Sequence, residues 1–372
     1  MVLMIIAVAT GTGLQKEIQG KLIGFTGHIQ VTKFDMNASY ESPAISTEQD
    51  FYPHINAKGF THIQKFATKA GILKSKSDFE GVVLKGISDD YRLDYLNSVL
   101  LEGKTPVYSA ARNDSVLISK HLSALLKLNL GDTAQMFFMQ EAPKPPRIRN
   151  YTVAGIYETG LEDIDNNFIV GNFGQIKRLN RWDDNQAGGF EVFIDDFDKI
   201  DERAQFLKAE IPFDLTAESL KRKNEKIFQW LDLFDMNIYI IIAIMLMVAS
   251  LNMIMALFII ILERAQLIGI LKTLGANNLS IRNIFLRQSA SLIIKGMFWG
   301  NLIGIGFCYL QKFTGFIKLD QSTYYVSEVP IDINWLYILG LNAGIFVTCL
   351  LAMMVPSLLV TRIKPVKVLR FD

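Results

Sequence analysis

The chain has little cysteine, little histidine and no charge bias, and each shortage removes a class of explanation. Of 372 residues only 2 are cysteine, Cys308 and Cys349, and both fall inside apolar runs. The polar amino-terminal part has none, so no disulfide framework holds it together. The 4 histidines, His28, His54, His62 and His121, are scattered without ligand-like spacing and read as ordinary residues rather than a metal site. With 38 basic and 37 acidic residues the net charge is +1. No global field draws nucleic acid, and no basic run interleaved with aromatics appears.

Catalytic signatures are missing as well. There is no G-x-x-x-x-G-K-[ST] loop, so nucleotide is not hydrolysed by that route. DIDNNF, beginning at Asp163, resembles the start of a calcium loop but lacks the glycine at its sixth position and the glutamate at its twelfth. No G-x-S-x-G or H-E-x-x-H occurs, and the neighbouring acids Glu162 and Asp163 read as a solvated turn. The chain is expected to be non-catalytic, with no cofactor or metal of its own.

What is present is apolar length. Hydrophobic residues make up 50% of the chain, the mean hydropathy is +0.24, and the excess lies after Asn237. Residues 237–262 and 335–360 carry no formal charge, and 289–310 carries only Lys295 near one end, where a long stem snorkels to headgroups. Each run meets the roughly 20 residues needed to cross a bilayer core. The opening MVLMIIAVATGTG is apolar for only about half a span by the same rule. It either lies at the interface or belongs to a first span that is cut short, and the loop charges favour the second. Residues 263–288 carry Arg264, Lys272, Arg282 and Arg287, and the tail 361–372 carries Arg362, Lys364, Lys367 and Arg370. Residues 311–334 set Lys312 and Lys318 against Asp320, Glu328 and Asp332. The excess of basic residues in cytoplasmic loops puts 263–288 and the tail inside and 311–334 outside. The region before Asn237 is then exported and needs a span ahead of it, residues 1–26. Four spans with both termini inside is the expected topology.

The exported part, 27–215, reads as an α+β domain. GHIQVTKF alternates, FEGVVLKGI (79–87) reads as a buried strand, and Ser119 is positioned to cap a helix over SKHLSALLKL. TAQMFFMQ, YTVAGIYETG and NNFIVGN continue the sheet. Between two of these strands lies EAPKPPRIRN (141–150), whose prolines 143, 145 and 146 favour a stiff extended loop. That loop is either a plain hairpin tip or a preorganised docking element. A stalk helix is expected over 216–236, with Leu220, Ile227, Trp230, Leu231 and Phe234 on one face. Its counterpart is LQKEIQGKLIGF, with Leu14, Ile18 and Leu22 on one stripe.

Inside the spans, Gly296, Gly300 and Gly304 repeat every fourth residue, as do Gly340 and Gly344, a spacing that lets helices pack closely. Asn252, Asn301 and Asn342 sit in mid-span and call for interhelical hydrogen bonds.

The segment ERAQLIGILKTLGA (263–276) stands between two spans. Leu267, Ile270, Leu271 and Leu274 form a helical stripe, Glu263, Arg264, Gln266 and Lys272 take other faces, and Gly275 stops the helix. A surface helix pinned between spans is a lever, and with no nucleotide site in the chain a separate ATPase is the economical driver. The segment resembles the cytoplasmic signature of FtsX/MacB-type ABC permeases, and RIKPVKVLRFD resembles their ending. GHIQV, VVLKGI, SKHLSALLKLNLGD and YTVAGIYETGLEDID resemble the lipoprotein-releasing, Lol-type branch.

The resemblance implies an α-helical membrane domain of four spans plus an α+β extracytoplasmic insert, in the bacterial inner membrane with the insert in the periplasm. It implies that Glu263, Arg264, Gln266, Leu267, Gly269, Lys272 and Gly275 belong to a coupling helix that docks into a partner ATPase, which binds ATP and Mg. Many relatives carry an acid where Leu267 stands. It further implies that Pro143, Pro145, Pro146, Arg147 and Arg149 lie where one Lol permease type recruits a periplasmic lipoprotein chaperone. A second permease copy, identical or related, lipoprotein cargo and membrane lipid complete the implied partners. Other branches would make the chain a signalling element for a cell-wall hydrolase, or a MacB-like exporter.

Overall fold

The computed structural model describes residues 1–35, 40–76, 78–106, 108, 113–140 and 143–357. The basic tail 361–372 lies outside them. From the amino terminus, α1 (Val2–Thr26) leads to β1 (Ile29–Lys33), the short β2 (Ile45–Ser46) and a long hairpin of β3 (Phe60–Lys74) and β4 (Phe79–Ile87). Then come α2 (Asp94–Ser98), β5 (Leu100–Gly103), β6 (Ser115–Ser119), α3 (Lys120–Leu126) and β7 (Thr133–Phe138). Next are β8 (Arg147–Tyr157), α4 (Glu162–Asp165), β9 (Phe168–Asn172), α5 (Phe173–Asn180), β10 (Gln186–Ala187) and β11 (Gly189–Ile194). The chain continues through α6 (Ile200–Glu210), β12 (Leu215–Ser219), α7 (Leu220–Lys223) and α8 (Glu225–Glu263). The last elements are α9 (Ala265–Thr273), α10 (Asn278–Thr314), α11 (Gln321–Tyr324) and α12 (Trp335–Ser357). Two compact units result, one of Met1–Lys16, Gln229–Leu319 and Glu328–Asp372, the other of Glu17–Phe228 and Asp320–Ser327.

The second unit is α+β. Its main sheet has the order β12-β1-β11-β3-β4-β9-β6-β8-β5, with β7 paired to β3 and β8. Most pairs are antiparallel; β4 with β9 and β6 with β8 are parallel. Strand β11 is buried along its whole length and β4 over its last six residues, Val82–Ile87, as expected where both faces of a sheet are covered. Leu84, Val116, Ile118, Leu122, Tyr151 and Ile169 meet in its core. Ser119 caps α3 as its position suggested, its hydroxyl accepting from Leu122 N at 3.1 Å. The turn at DIDNNF is built by Asp165, whose carboxylate accepts from Thr159 N and Oγ1 and from Gly160 N at 2.9–3.1 Å. Burial raises that carboxyl's pKa while these bonds hold it down.

The expected stalk helix from 216 is corrected. Residues 216–219 belong to β12, which pairs antiparallel with β1 from Ile29↔Ser219 to Lys33↔Leu215. Leu215, Ala217 and Ser219 point inward with the two-residue period of a strand. Ser219 then caps α7, accepting from Arg222 N, and after a break at Asn224 the long α8 begins. On the amino-terminal side α1 is unbroken to Thr26, and Leu14, Ile18, Leu22 and Phe25 are all buried.

Among the described residues three helices are long and apolar enough to cross a bilayer: Glu225–Glu263, Asn278–Thr314 and Trp335–Met354. α1 does not reach that measure. Leu257, Ile261, Ile281, Phe285, Ile293 and Ile345 form part of the first unit's core. Asn301 and Asn342 exchange amide hydrogen bonds of 2.7 and 3.0 Å, the interhelical pairing expected of mid-span asparagines. Gly300 stands close to Met1 and Gly304 to Val2 and Ile5 of α1, whereas Gly296, Gly340 and Gly344 face open space. Residues 278–288, read as loop, are the first turns of α10. Asn277 caps it, accepting from Leu279 N at 2.7 Å, and Ile281, Phe285 and Ser289 are buried four residues apart.

Candidate functional site

Helix α9 follows α8 with a single residue between them. Arg264 leaves the helical path at φ −100°, ψ 12° without a side-chain cap, and α9 resumes at Ala265. It closes at Gly275, whose φ of +89° is the left-handed conformation that an alanine there would resist. The backbone bonds Leu274 N→Ile270 O and Ala276 N→Leu271 O, of 3.1 and 2.9 Å, tie off the end.

The helix does not bury the stripe that its periodicity outlines. Ile268 is 0% exposed and packs into the unit's apolar core, with Leu271 partly buried beside it. Leu267, Ile270 and Leu274 remain 48, 46 and 78% exposed. Gly269 lies on the buried side with Ile268, while Glu263, Arg264 and Gln266 are exposed and Lys272 is half-buried. Around the apolar exposed trio the helix thus presents both signs of charge. Burying such a face in a groove of another protein would recover free energy that water now denies it.

The second predicted site is the β7–β8 connection. Phe138 pairs with Arg147, Phe137 with Ile148 and Met136 with Arg149, so the strands run on past the point where the sequence suggested a loop. Arg147 and Arg149 are therefore strand residues, a correction to their placement in the loop. The ladder prevails because Tyr151, Val153 and Ile156 are buried and set the register of the whole strand. Arg147 donates to Leu179 O, which holds it half-buried, while Arg149 is exposed. Pro143, Lys144, Pro145 and Pro146 form the exposed tip; Glu141 and Ala142 lie outside the described residues.

A third cluster was not anticipated. Lys85 on β4 and Glu191 on β11 form an ion pair of 2.6 Å, with side chains 2 and 0% exposed. The Lys85 ammonium also donates to the carbonyl of Phe25, in the last turn of α1, and lies 3.4 Å from Tyr91 Oη. Glu191 accepts from Gln64 Nε2 at 2.8 Å and from Gln30 Nε2 at 3.3 Å. Gln30 Oε1 in turn accepts from Lys223 at the end of α7. Burial lowers the pKa of Lys85, and the Glu191 carboxylate opposes that shift. A lysine inside the apolar VVLKGI was the available signal, because a charge in a buried strand demands a partner. Among the described residues no group of three or more His, Cys, Asp or Glu could hold a metal ion.

Comparison with known proteins accords with the resemblance. Residues 239–365 match the FtsX-like permease C-terminal family. Over 99% of its length the chain is 21% identical to 90% of the lipoprotein-releasing system transmembrane protein LolC of Xylella fastidiosa. Over 98% it is 20% identical to 90% of the corresponding LolE of Haemophilus influenzae. The periplasmic region of MacB from Actinobacillus actinomycetemcomitans superposes with a TM-score of 0.37 at 13% identity, covering 55% of this chain and 95% of that one.

Proposed function

We propose that this chain is the membrane permease subunit of an ABC complex that extracts lipid-anchored proteins from the inner membrane for transfer to a periplasmic carrier. The observation that carries the reading is α9: a short helix fixed between two membrane helices, seated by Ile268, with Leu267, Ile270 and Leu274 left uncovered. The similarity to lipoprotein-releasing proteins along nearly the whole chain supports the choice of cargo.

In this reading α9 docks into a separate ATPase, which binds ATP and Mg, and Glu263 to Gly275 receive its movement. α1 supplies the first of four spans, and the α+β unit stands in the periplasm. A second permease, identical or related, faces the apolar surfaces of the membrane helices that this chain leaves open. The acyl chains of a lipoprotein occupy the space between the two copies until ATP-driven closure expels them upward. Leaving the bilayer costs an acyl anchor ~0.8 kcal/mol per CH₂, so extraction needs an external source of energy. The proline tip, with Arg147 and Arg149 at its base, is the docking element for the carrier.

The test is purification of the tagged chain from detergent-solubilised membranes, with mass spectrometry of its companions. An ATPase, acylated proteins and a periplasmic carrier are expected. A cell-wall hydrolase in place of the cargo would mean a signalling element, and an adaptor with an outer-membrane channel would mean an exporter; either overturns lipoprotein release.

A further inference from the structure

We propose that the buried Lys85–Glu191 pair is the joint through which both membrane-connected stalks grip the sheet of the α+β unit, which makes the two side chains positioning residues for force transmission. The inference rests on reading α9 as a lever driven by an ATPase.

The chain leaves the α+β unit along two helices, α1 and α8. The carbonyls of a helix's last turn have no helical partner and carry the negative end of its dipole. One of them, Phe25 O, accepts from Lys85. A fixed ammonium within the sheet therefore holds the carboxyl end of α1. Gly27, at φ +72°, then turns the chain sharply into β1. On the other side Lys223, two residues before α8, donates to Gln30, whose amide donates to Glu191 at 3.3 Å. A continuous polar path thus runs from Phe25 through Lys85, Glu191 and Gln30 to Lys223, across β4, β11 and β1.

Stability does not explain such a path. Two charges removed this completely from water cost much of what their attraction returns, and well-packed apolar residues commonly match a buried pair in stability. Apolar contacts also tolerate sliding. What the pair adds is direction: the Lys85 ammonium sits between the Glu191 carboxylate at 2.6 Å and the rings of Phe25 and Tyr91, at 4.5 and 5.2 Å from their centroids. A displacement of α1 breaks charged hydrogen bonds unless the sheet follows.

The test uses the full complex in proteoliposomes, the co-purified ATPase included, with a fluorescent diacylated protein as cargo probe. Hydrogen exchange of the permease with and without a non-hydrolysed ATP analogue is the primary readout, and probe released per ATP hydrolysed is the second. In the wild type, nucleotide should alter protection in β4 and β11. In Lys85→Met/Glu191→Leu, which removes both charges together, that change should stop at α1 and α8. Probe released per ATP should fall toward the spontaneous level while ATP hydrolysis continues. Lys85→Arg, which keeps the cation, should retain part of the transfer that the double variant loses. Where the double variant fails to assemble, Lys223→Met cuts the second tie and should reduce the same change. Unaltered exchange changes and unaltered release per ATP in the variants would overturn the joint, as would a wild-type sheet that does not respond to nucleotide. A responsive wild type that releases no probe would refute the proposed cargo and leave the joint standing.

Discussion

The exposed trio on α9 gives the sharpest test of the lever. Fully burying a leucine or isoleucine is worth ~1.5–3 kcal/mol. Leu267, Ile270 and Leu274 are 48, 46 and 78% exposed, so covering what is open on all three amounts to about 3–5 kcal/mol. Each 1.4 kcal/mol is a factor of ten in affinity, so alanine at all three positions should weaken ATPase binding at least about a hundredfold. Stability of the permease should change little, since surface substitutions of this kind fall within about 0.5 kcal/mol each. Ile268→Ala, one residue along the same helix, should do the reverse. It deletes a buried side chain, costs about 2–5 kcal/mol of stability and loosens the seat of α9 itself. The assay measures co-purification of the ATPase and stimulation of its hydrolysis for both variants, beside thermal unfolding in detergent. If the triple variant binds and stimulates the ATPase as the wild type does, the open face of α9 is not the docking surface.

Three other predictions concern the remaining features. Serine at positions 143, 145 and 146 frees a backbone that proline stiffens, at ~0.4–1 kcal/mol per site; carrier binding should fall about ten- to a hundredfold with complex assembly unchanged, and unaltered binding in a pull-down would remove the tip from the docking role. His28 is held near pKa 4 by burial and, secondarily, by Arg92, so between pH 6.5 and 4 the unfolded chain binds more protons than the folded one and stability is lost on acidification. The gap is worth at most about 3 kcal/mol, or about 2 kcal/mol after allowance for its partial contact with water. Exchange protection of β1 and β11 should show that loss in the wild type and not in His28→Phe. Asn301→Leu should cost about 0.6–1.7 kcal/mol in a bicelle unfolding titration by stripping Asn342 of its partner, and leucine at both positions should recover most of it.

Much of this was legible because some signals are local. Long uncharged runs announce membrane helices whatever surrounds them, and FEGVVLKGI occupies the strand Phe79–Ile87 that its β-formers suggested. Ser119 and Gly275 mark helix ends through their own backbone chemistry. The strand β12 was hidden because TAES contains good helix formers and its partner β1 lies far back in the chain. Tertiary pairing there overrides local propensity. Which face of α9 is covered was not legible for a different reason: periodicity groups Leu267, Ile270, Leu271 and Leu274 but cannot say which of them this chain covers. Only the packing of Ile268 against α8 and α10 residues such as Ile261 and Phe285 decides that. For the Lys85–Glu191 pair the lysine within VVLKGI signalled that a partner was needed, but its identity was out of reach, since only the topology sets β11 and β4 on either side of β3.

The stiffness of α8 binds these observations together. Over Glu225–Glu263 it contains neither proline nor glycine, the residues at which helices ordinarily kink. At 1.5 Å per residue such a helix is about 58 Å long. A rod of that kind conveys displacement only if its ends are held. One end meets α9 across the single residue Arg264, and the other begins beside Lys223 and the Ser219-capped α7. α10, by contrast, contains Gly296, Gly300, Gly304 and Gly306 within its membrane length, and α1 contains Gly11, Gly13, Gly20 and Gly24. Bending is therefore cheaper in those two helices than in α8. The difference ranks the helices by bending stiffness, α8 above α1 and α10, from composition alone.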